Sequence, residues 1–514
     1  MPPIVEHMFY SLREVGAAEL VTTIGAAARA EARAAAQRLA AIGELVARQA
    51  RGDATYGRWS CDNWDAVAAQ VAAALNLSHA TASGQMYLAV ALRNRLPKVG
   101  ALLTQGIIDL RLAAVIVWHT TLIKDPTALA LVDAALATDA HCYGPLSAPK
   151  TTAAIDAIVE RHDPAAVRRH RVGARGRDVV INAADHNSGT ADFWGSLLAH
   201  DAALLDNRLS TMARDVCAAD PRTMPQRRAD ALGALAAGST HLSCGCGEAH
   251  CPHSGPDERA TSIVVHVLAN PDSLSSAADC ETDGADGPTE LDRDPTLDEW
   301  TTSAHREAAP SGPRLPAAQI IGGKGLAIPA PALSALIARG ATVVTLPLAH
   351  DWPTESRYRP SVRLQHFIRC RDLTCRFPGC DHPASGCDID HTVPYPAGPT
   401  AASNLKLLCR KHHLLKTFWG GSRGWRDHQA EDGTVRWISP TGHTYTTRPG
   451  SRLLFPTLSL PGASISIEPA PEDNQWRTAM MPIRQTTRTQ DRAARIAAER
   501  ALNSAVHPTN SPPL

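Results

Sequence analysis

A net charge, a membrane-spanning run and an internal repeat are all missing from this chain of 514 residues. Lys+Arg and Asp+Glu each total 51, so any attraction for a polyanion must come from local charge rather than from the chain as a whole. No stretch approaches the ~18 uninterrupted apolar residues of a membrane span. The opening residues MPPIVEHMFYSLREVGAAEL also lack the basic-then-apolar order of a secretory leader. A cytoplasmic protein with no membrane partner is therefore expected. At ~150 residues per domain the length implies two to four units.

What the chain does have is clustered cysteine and a long Ala-rich region. Eight of the twelve cysteines gather at Cys370 to Cys409 and at Cys244 to Cys251, and in a reducing compartment such groups favour metal ligation over disulfides. An N-terminal segment, 1–25, precedes an α-rich domain at 26–270. Its runs ARAEARAAAQRLAAIGELVARQ and NWDAVAAQVAAALNLS carry helical periodicity. Ser78 is placed as a helix N-cap. RDVVINAADHNSGTADFWG predicts a β-hairpin about Asn-Ser-Gly, with TSIVVHVLA as a third strand.

From 271 to 314 the composition turns to Asp, Glu, Ser, Thr and Pro. Eleven acids face only Arg293 and Arg306 between 271 and 310, which predicts a disordered linker. A connecting helix (PALSALIARG) and strand (ATVVTLPL) follow at 315–350. The region 351–450 holds the main cysteine and histidine cluster, then hairpins about Asp432-Gly433 and Pro440-Thr441-Gly442. Residues 451–514 read as a mobile tail. The fold class is α+β, with the C-terminal module expected to fold by itself.

The chemistry concentrates in that module. Cys375 and Cys380 bracket Arg-Phe-Pro-Gly, whose Pro378-Gly379 can turn both thiolates toward one point. Cys409 and His412 are three apart, which puts them on one face of a helical turn. Together they predict a tetrahedral Cys₃His zinc site of the closed, structural kind. Cys370 and Cys387 are competing thiols, although the RDLT spacer lacks the turn-forming Pro-Gly.

His413 leaves the helix about 100° from His412, so it can join Asp390 in holding a divalent ion, with Mg²⁺ or another divalent metal as cofactor beside Zn²⁺. His391, on the opposite face of the strand, suits a general base. Asn404 is placed to bond backbone and orient His391. A weaker cluster, Cys244, Cys246 and Cys251 with His241, His250 or His253, is a candidate second zinc site.

These residues resemble the HNH endonucleases in CRFPGC, in DIDH, in the Asn of SNLKLLC and in CRKHHLLKT, over about Arg369 to Thr417. The resemblance implies a ββα-metal (treble-clef-like) module that cuts nucleic-acid phosphodiesters. It gives His391 as base, Asn404 as orienting residue, and Asp390 and His413 as ligands of the catalytic ion. The loop Pro396-Ala397-Gly398-Pro399 departs from the usual Gly-Gly. An Ala-rich helical region followed by such a module also resembles actinobacterial repeat-family proteins with an N-terminal domain of unknown function.

Residues 351–450 carry a net charge of +5, and Arg376, Arg410, Lys411 and Lys416 are the expected contacts to nucleic acid, with DNA the expected substrate. The rival reading is a zinc-stabilised DNA-binding or regulatory protein without cleavage. A third is an interaction protein that uses LNLSHATASGQMYLAVALRNRL, a stretch with weak helix-turn-helix character.

Overall fold

The computed structural model describes residues 15–50, 56–167, 177–183, 191–248, 250–253, 352–421, 424–462 and 481–506, with residue 12 and short pieces at 267–269, 318–320, 327–328, 333–334, 337, 342–347 and 464–465. The acidic stretch at 271–314 and most of the helix expected at 331–340 lie outside the described residues.

Alanine-rich periodicity becomes seven helices: α1 (Ala17–Gln49), α2 (Asn63–Leu75), α3 (His79–Asn94), α4 (Pro97–Gln105), α5 (Leu110–His119), α6 (Pro126–Asp139) and α7 (Ala148–His162). On α1 the buried residues Ala32, Ala35, Ala36, Leu39, Ile42, Gly43 and Val46 recur at three- and four-residue steps, the stripe that an amphipathic helix turns to a core. Small side chains let the helices approach closely, and the shared core runs from Ala32 to Val167.

Chain entry is fixed by caps. Ser78 accepts the Thr81 amide at the start of α3, as expected. At α2 a reciprocal box pairs Asp62 and Asp65: the Asp65 amide donates to Asp62 Oδ1 at 3.0 Å and the Asp62 amide to Asp65 Oδ2 at 3.4 Å. Both carboxylates are buried.

The predicted hairpin is present as β1 (Asp178–Ala183) antiparallel to β2 (Ala191–Ser196), followed by the helix pair α8 (Ala199–Arg214) and α9 (Met224–Ala236). Of the expected third strand only 267–269 are among the described residues. Within that piece β3 (Val267–Leu268) pairs with β4 (Ala318–Ile320), itself paired with β5 (Ala327–Ile328). Residues 342–347, expected as a strand, have no regular structure. Their exposed Val343 and Val344 have the propensity for a strand, but among the described residues none pairs with them.

The cysteine-rich region begins with α10 (Val362–Asp372), then the antiparallel pair β6 (Cys387–His391) and β7 (Leu405–Cys409), then α11 (Arg410–Phe418). Beyond it β8 (Arg426–Gln429), β9 (Val435–Ile438) and β10 (Thr444–Thr447) form the expected meander, with Gly433 and Gly442 at positive φ in its two turns. Val435 and Trp437 on β9 are fully buried, while Arg436 between them is exposed, the alternation of a half-buried strand.

Two expectations about independence are corrected. The module does not close its own core: Trp59, Cys61, Ala69 and Ala73 from the helical region share one buried cluster with Phe367, Phe377, Leu407 and Trp437. Residues after 451 are also more than a tail. α12 (Arg488–Val506) returns to the helical region, where Arg488 Nη2 meets Asp65 Oδ2 at 2.9 Å, Arg500 Nη1 meets Asp163 Oδ2 at 2.6 Å, and Asn503 Nδ2 donates to the Ala165 and Val167 carbonyls. Few large apolar residues mark this helix. Its attachment is polar and spans hundreds of residues, so local hydropathy does not reveal it.

Candidate metal centre and catalytic face

Antiparallel pairing of β6 with β7 sets Cys387 opposite Cys409, Asp390 opposite Lys406 and His391 opposite Leu405. Alternation then divides the strand: Asp388 and Asp390 share the face under α11, and His391 points to the other.

The predicted zinc ligands converge. Cys375, Cys380, Cys409 and His412 bring their ligand atoms within 4.8 Å of one another, three of the residues being buried. His412 Nδ1 lies 3.3 Å from Cys409 Sγ and 3.5 Å from Cys375 Sγ, and its ring stacks on Phe377 with centroids 4.1 Å apart. Gly379 closes the knuckle at φ +74, where an added Cβ would lie 2.5 Å from the Leu77 carbonyl oxygen. Glycine is needed there because any side chain would strike the α2–α3 turn. Cys370 and Cys387 are buried outside the group. Three thiols and an imidazole in this space can hold a metal ion such as zinc.

The neighbouring histidine turns away as expected. His413 Nδ1 lies 2.9 Å from Asp388 Oδ2, and its Nε2 is 3.6 Å from Asp390 Oδ1. The second oxygen of Asp390 is engaged: Lys406 Nζ donates to Oδ2 at 2.8 Å and Lys416 Nζ at 2.6 Å. Both ammoniums also face Asp427 Oδ2, at 2.6 and 3.2 Å. Burial opposes charge on Asp390, but Lys406 and then Lys416 outweigh it and hold the carboxyl well below the usual range. Burial, followed by repulsion from Lys406, lowers Lys416.

His391 is buried on the reverse face, stacked on Tyr358 at 5.5 Å. Its Nε2 lies 2.8 Å from Thr400 Oγ1, which itself sits 2.6 Å from the Arg357 carbonyl. A hydroxyl has one proton. Thr400 gives that proton to Arg357 and so accepts from the His391 Nε2–H, which leaves Nδ1 as the ring's acceptor. Burial lowers His391 below its ordinary value.

Asn404 does not touch the imidazole. Its Oδ1 accepts from the Val393 amide at 2.9 Å, and its Nδ2 donates to the Val393 and Pro399 carbonyls at 2.9 and 2.8 Å. It therefore ties both ends of the loop that separates His391 from Thr400. Gly398 permits this bracing, since a Cβ there would come within 2.7 Å of Asn404 Nδ2.

The basic residues divide. Arg410 is open to solvent, 3.5 Å from Asp388. Lys411 pairs with Asp65 Oδ1 at 3.2 Å, and Lys416 points inward. Arg376, expected on the nucleic-acid face, is buried at 2 % exposure and donates to the Gly433 and Thr447 carbonyls. The reason is geometric. Its own amide bonds Leu407, so the alternate side chain points under the β8–β10 meander.

Sequence reasoning missed Asp388, Lys406, Asp427 and Thr400. Asp388 was within reach, because it stands two residues before Asp390 and strand alternation puts both on one face. Asp427 arrives from a separate hairpin and carries no local signal. At Cys217, Cys244, Cys246 and Cys251 the sulfurs also lie within 4.8 Å of one another, so the expected histidine partner there is replaced by a cysteine 27 residues upstream of Cys244. No described helix is long and apolar enough to cross a membrane.

Three relatives from Mycobacterium tuberculosis are similar over long spans. Uncharacterized protein Rv2100 is 52% identical over 498 residues, covering 96% of this chain and 89% of the relative. Uncharacterized protein Rv3776 is 49% identical, covering 98% and 92%. A third, described as an uncharacterized protein in est 3'region, is 47% identical over 361 residues, covering 69% and 97%. No solved structure matches the chain. Residues 26–291, more than half of the chain, match the family described as Domain of unknown function (DUF222), and the chain belongs to that family.

Proposed function

We propose that residues 351–450 form an HNH endonuclease that hydrolyses phosphodiester bonds of DNA. The observation that carries this reading is the divergence of two adjacent histidines: His412 faces a cysteine cluster, and His413 faces Asp390 across 3.6 Å. Two donors of one ion with ~2.1 Å bonds lie about 3.0 Å apart at right angles and about 4.2 Å apart when opposite, so that separation fits a shared cation. Mg²⁺ or another divalent ion held by Asp390 Oδ1 and His413 Nε2 would supply Lewis-acid stabilisation of charge on the scissile phosphate.

The chain's own residues account for the rest. His391 takes a proton from the attacking water at Nδ1, while Thr400 holds Nε2–H and Tyr358 holds the ring plane. A neutral imidazole is required for this, and burial favours it. Asn404 fixes the loop on which that geometry depends. Arg410 offers an exposed guanidinium for the phosphate backbone.

The test is supercoiled plasmid incubated with full-length protein and Mg²⁺ or Mn²⁺, beside His391→Ala. Nicking by wild type alone supports the reading. Equal nicking by both proteins, or none by either, overturns it. One observation favours a second reading, binding without cleavage: two lysines already occupy one oxygen of Asp390. Its signature would be a mobility shift of DNA that depends on zinc but not on added divalent ion.

A further inference from the structure

Well before the module, four cysteines meet at the end of the α8–α9 pair. Cys217 follows the C-terminus of α8, while Cys244, Cys246 and Cys251 lie in the loop after α9. Their sulfurs all fall within 4.8 Å of one another, with 3.3 Å between Cys217 and Cys244. All four are half-buried, and none is disulfide-bonded. A tetrahedral ion with ~2.3 Å metal–sulfur bonds spaces its ligands about 3.8 Å apart, so the group is the size of a single-ion site. A multi-iron cluster, whose ligands bind different irons, needs a wider arrangement.

The surroundings behave as the supporting shell of such a site. Gly247, at φ +72, reverses the chain between Cys246 and Cys251. The Cys244 amide donates to the His253 carbonyl at 3.0 Å and the Cys251 amide to the Glu248 carbonyl at 3.2 Å. A buried ion pair bolts the two arms together. Asp220, three residues after Cys217, accepts from the Gly245 amide at 2.8 Å and from Arg222 Nη2 at 2.7 Å, and Arg222 Nη2 also donates to the Ser243 carbonyl at 2.7 Å. Such outer contacts fix the direction from which ligands approach.

Among the described residues the helix pair buries a small core, with Leu209 and Leu235 packed against it. Its separate buried cluster is Met212, Val216, Ala231, Ala234 and Leu242, far less apolar surface than a free-standing unit needs. We propose that Cys217, Cys244, Cys246 and Cys251 bind one structural zinc ion that staples the α8–α9 pair within the DUF222 domain, separate from the Cys375 cluster. Four thiolates leave no open coordination position, so the site is structural rather than catalytic.

The experiment is zinc content by elemental analysis of full-length protein purified with reductant and without added metal, for wild type, Cys217→Ser, Cys246→Ser, Cys246→His and Cys409→Ser. Wild type should hold two zinc ions per chain, and each serine variant one. Cys246→His keeps a ligand and should stay at two, which separates loss of a donor from loss of fold. Limited proteolysis should open residues 199–253 in Cys217→Ser and leave them closed in Cys409→Ser. One zinc per folded wild-type chain that Cys409→Ser loses, unchanged zinc in Cys217→Ser, iron in place of zinc, or a Cys217 disulfide found by mass spectrometry would each overturn the proposal, whereas a single zinc kept by Cys409→Ser and lost by Cys217→Ser would support it.

Discussion

His413 spends its Nδ1 on Asp388, 2.9 Å away, which leaves Nε2 as the ring atom facing Asp390. A carboxylate behind a ligating imidazole fixes its tautomer and raises its basicity. Asp388→Ala should therefore weaken the catalytic divalent ion by ~10- to 100-fold, moving the Mn²⁺ midpoint of plasmid cleavage upward while zinc content stays unchanged. An unmoved midpoint would make Asp388 a surface partner only.

His391→Ala should lower the cleavage rate by ~10² to 10⁴, the range for loss of a general base, with zinc, thermal midpoint and DNA affinity kept. Thr400→Val should lower kcat with less effect on KM, because it removes the acceptor that keeps His391 Nδ1 free.

Lys406 is fully buried between Asp390 and Asp427. Lys406→Met leaves two buried carboxylates facing each other with Lys416 alone, and breaking a buried pair costs about 3–5 kcal/mol. A drop of that size in chemical-denaturation stability is expected. A neutral result would mean that water or Lys416 already compensates these charges.

Asp65 collects His79, Lys411 and Arg488 at 3.1, 3.2 and 2.9 Å. Burial opposes its charge, but His79 and then Lys411 and Arg488 outweigh that and depress the folded carboxyl value. A depressed value means stability that is fully present above the unfolded value, ~3.9, and lost as pH falls below it. Asp65→Asn should cost about 1.5–3 kcal/mol at neutral pH, the worth of charge-assisted hydrogen bonds. That difference should shrink in melts taken progressively below pH 4.

A fragment spanning 356–450 should fail to fold, because Trp59, Cys61, Ala69 and Ala73 complete its core. Poor chemical-shift dispersion is the expected result. A well-dispersed, zinc-loaded fragment would show that these contacts are dispensable.

Local patterns made much of this structure legible. Helix periodicity, the Ser78 cap, the Asp432-Gly433 and Pro440-Thr441-Gly442 turns, and the CxxxxC and CxxH spacings each depend on residues within a few positions of one another, and each appears where expected. The misses share the opposite property. Arg376 looked like a surface cation until β8–β10 covered it, and Cys217 joins Cys244 only once two helices fold back. In the 451–514 region the sequence offers a short helix at RAARIAAERAL, inside α12, but not its docking, because its partners are hundreds of residues away. Spacing also showed that Asp390 and His391 must part company, but not that Lys406 and Asp427 would surround one of them.

The C-terminal helix has a consequence for the order in which the chain matures during synthesis. The caps Asp62 and Asp65 are made early, yet Arg488 follows them by 426 and 423 residues. At 5–20 residues per second a ribosome needs about 20 to 80 seconds to supply it. Through that interval Asp65 has its early partner His79 and later Lys411, whereas Asp62 still lacks the two arginines, Arg484 and Arg488, that face it in the folded chain. Asp62 therefore waits for both, at 2.7 and 3.1 Å in the folded chain, so the surface that receives the cysteine knuckle is completed long after the helices that build it.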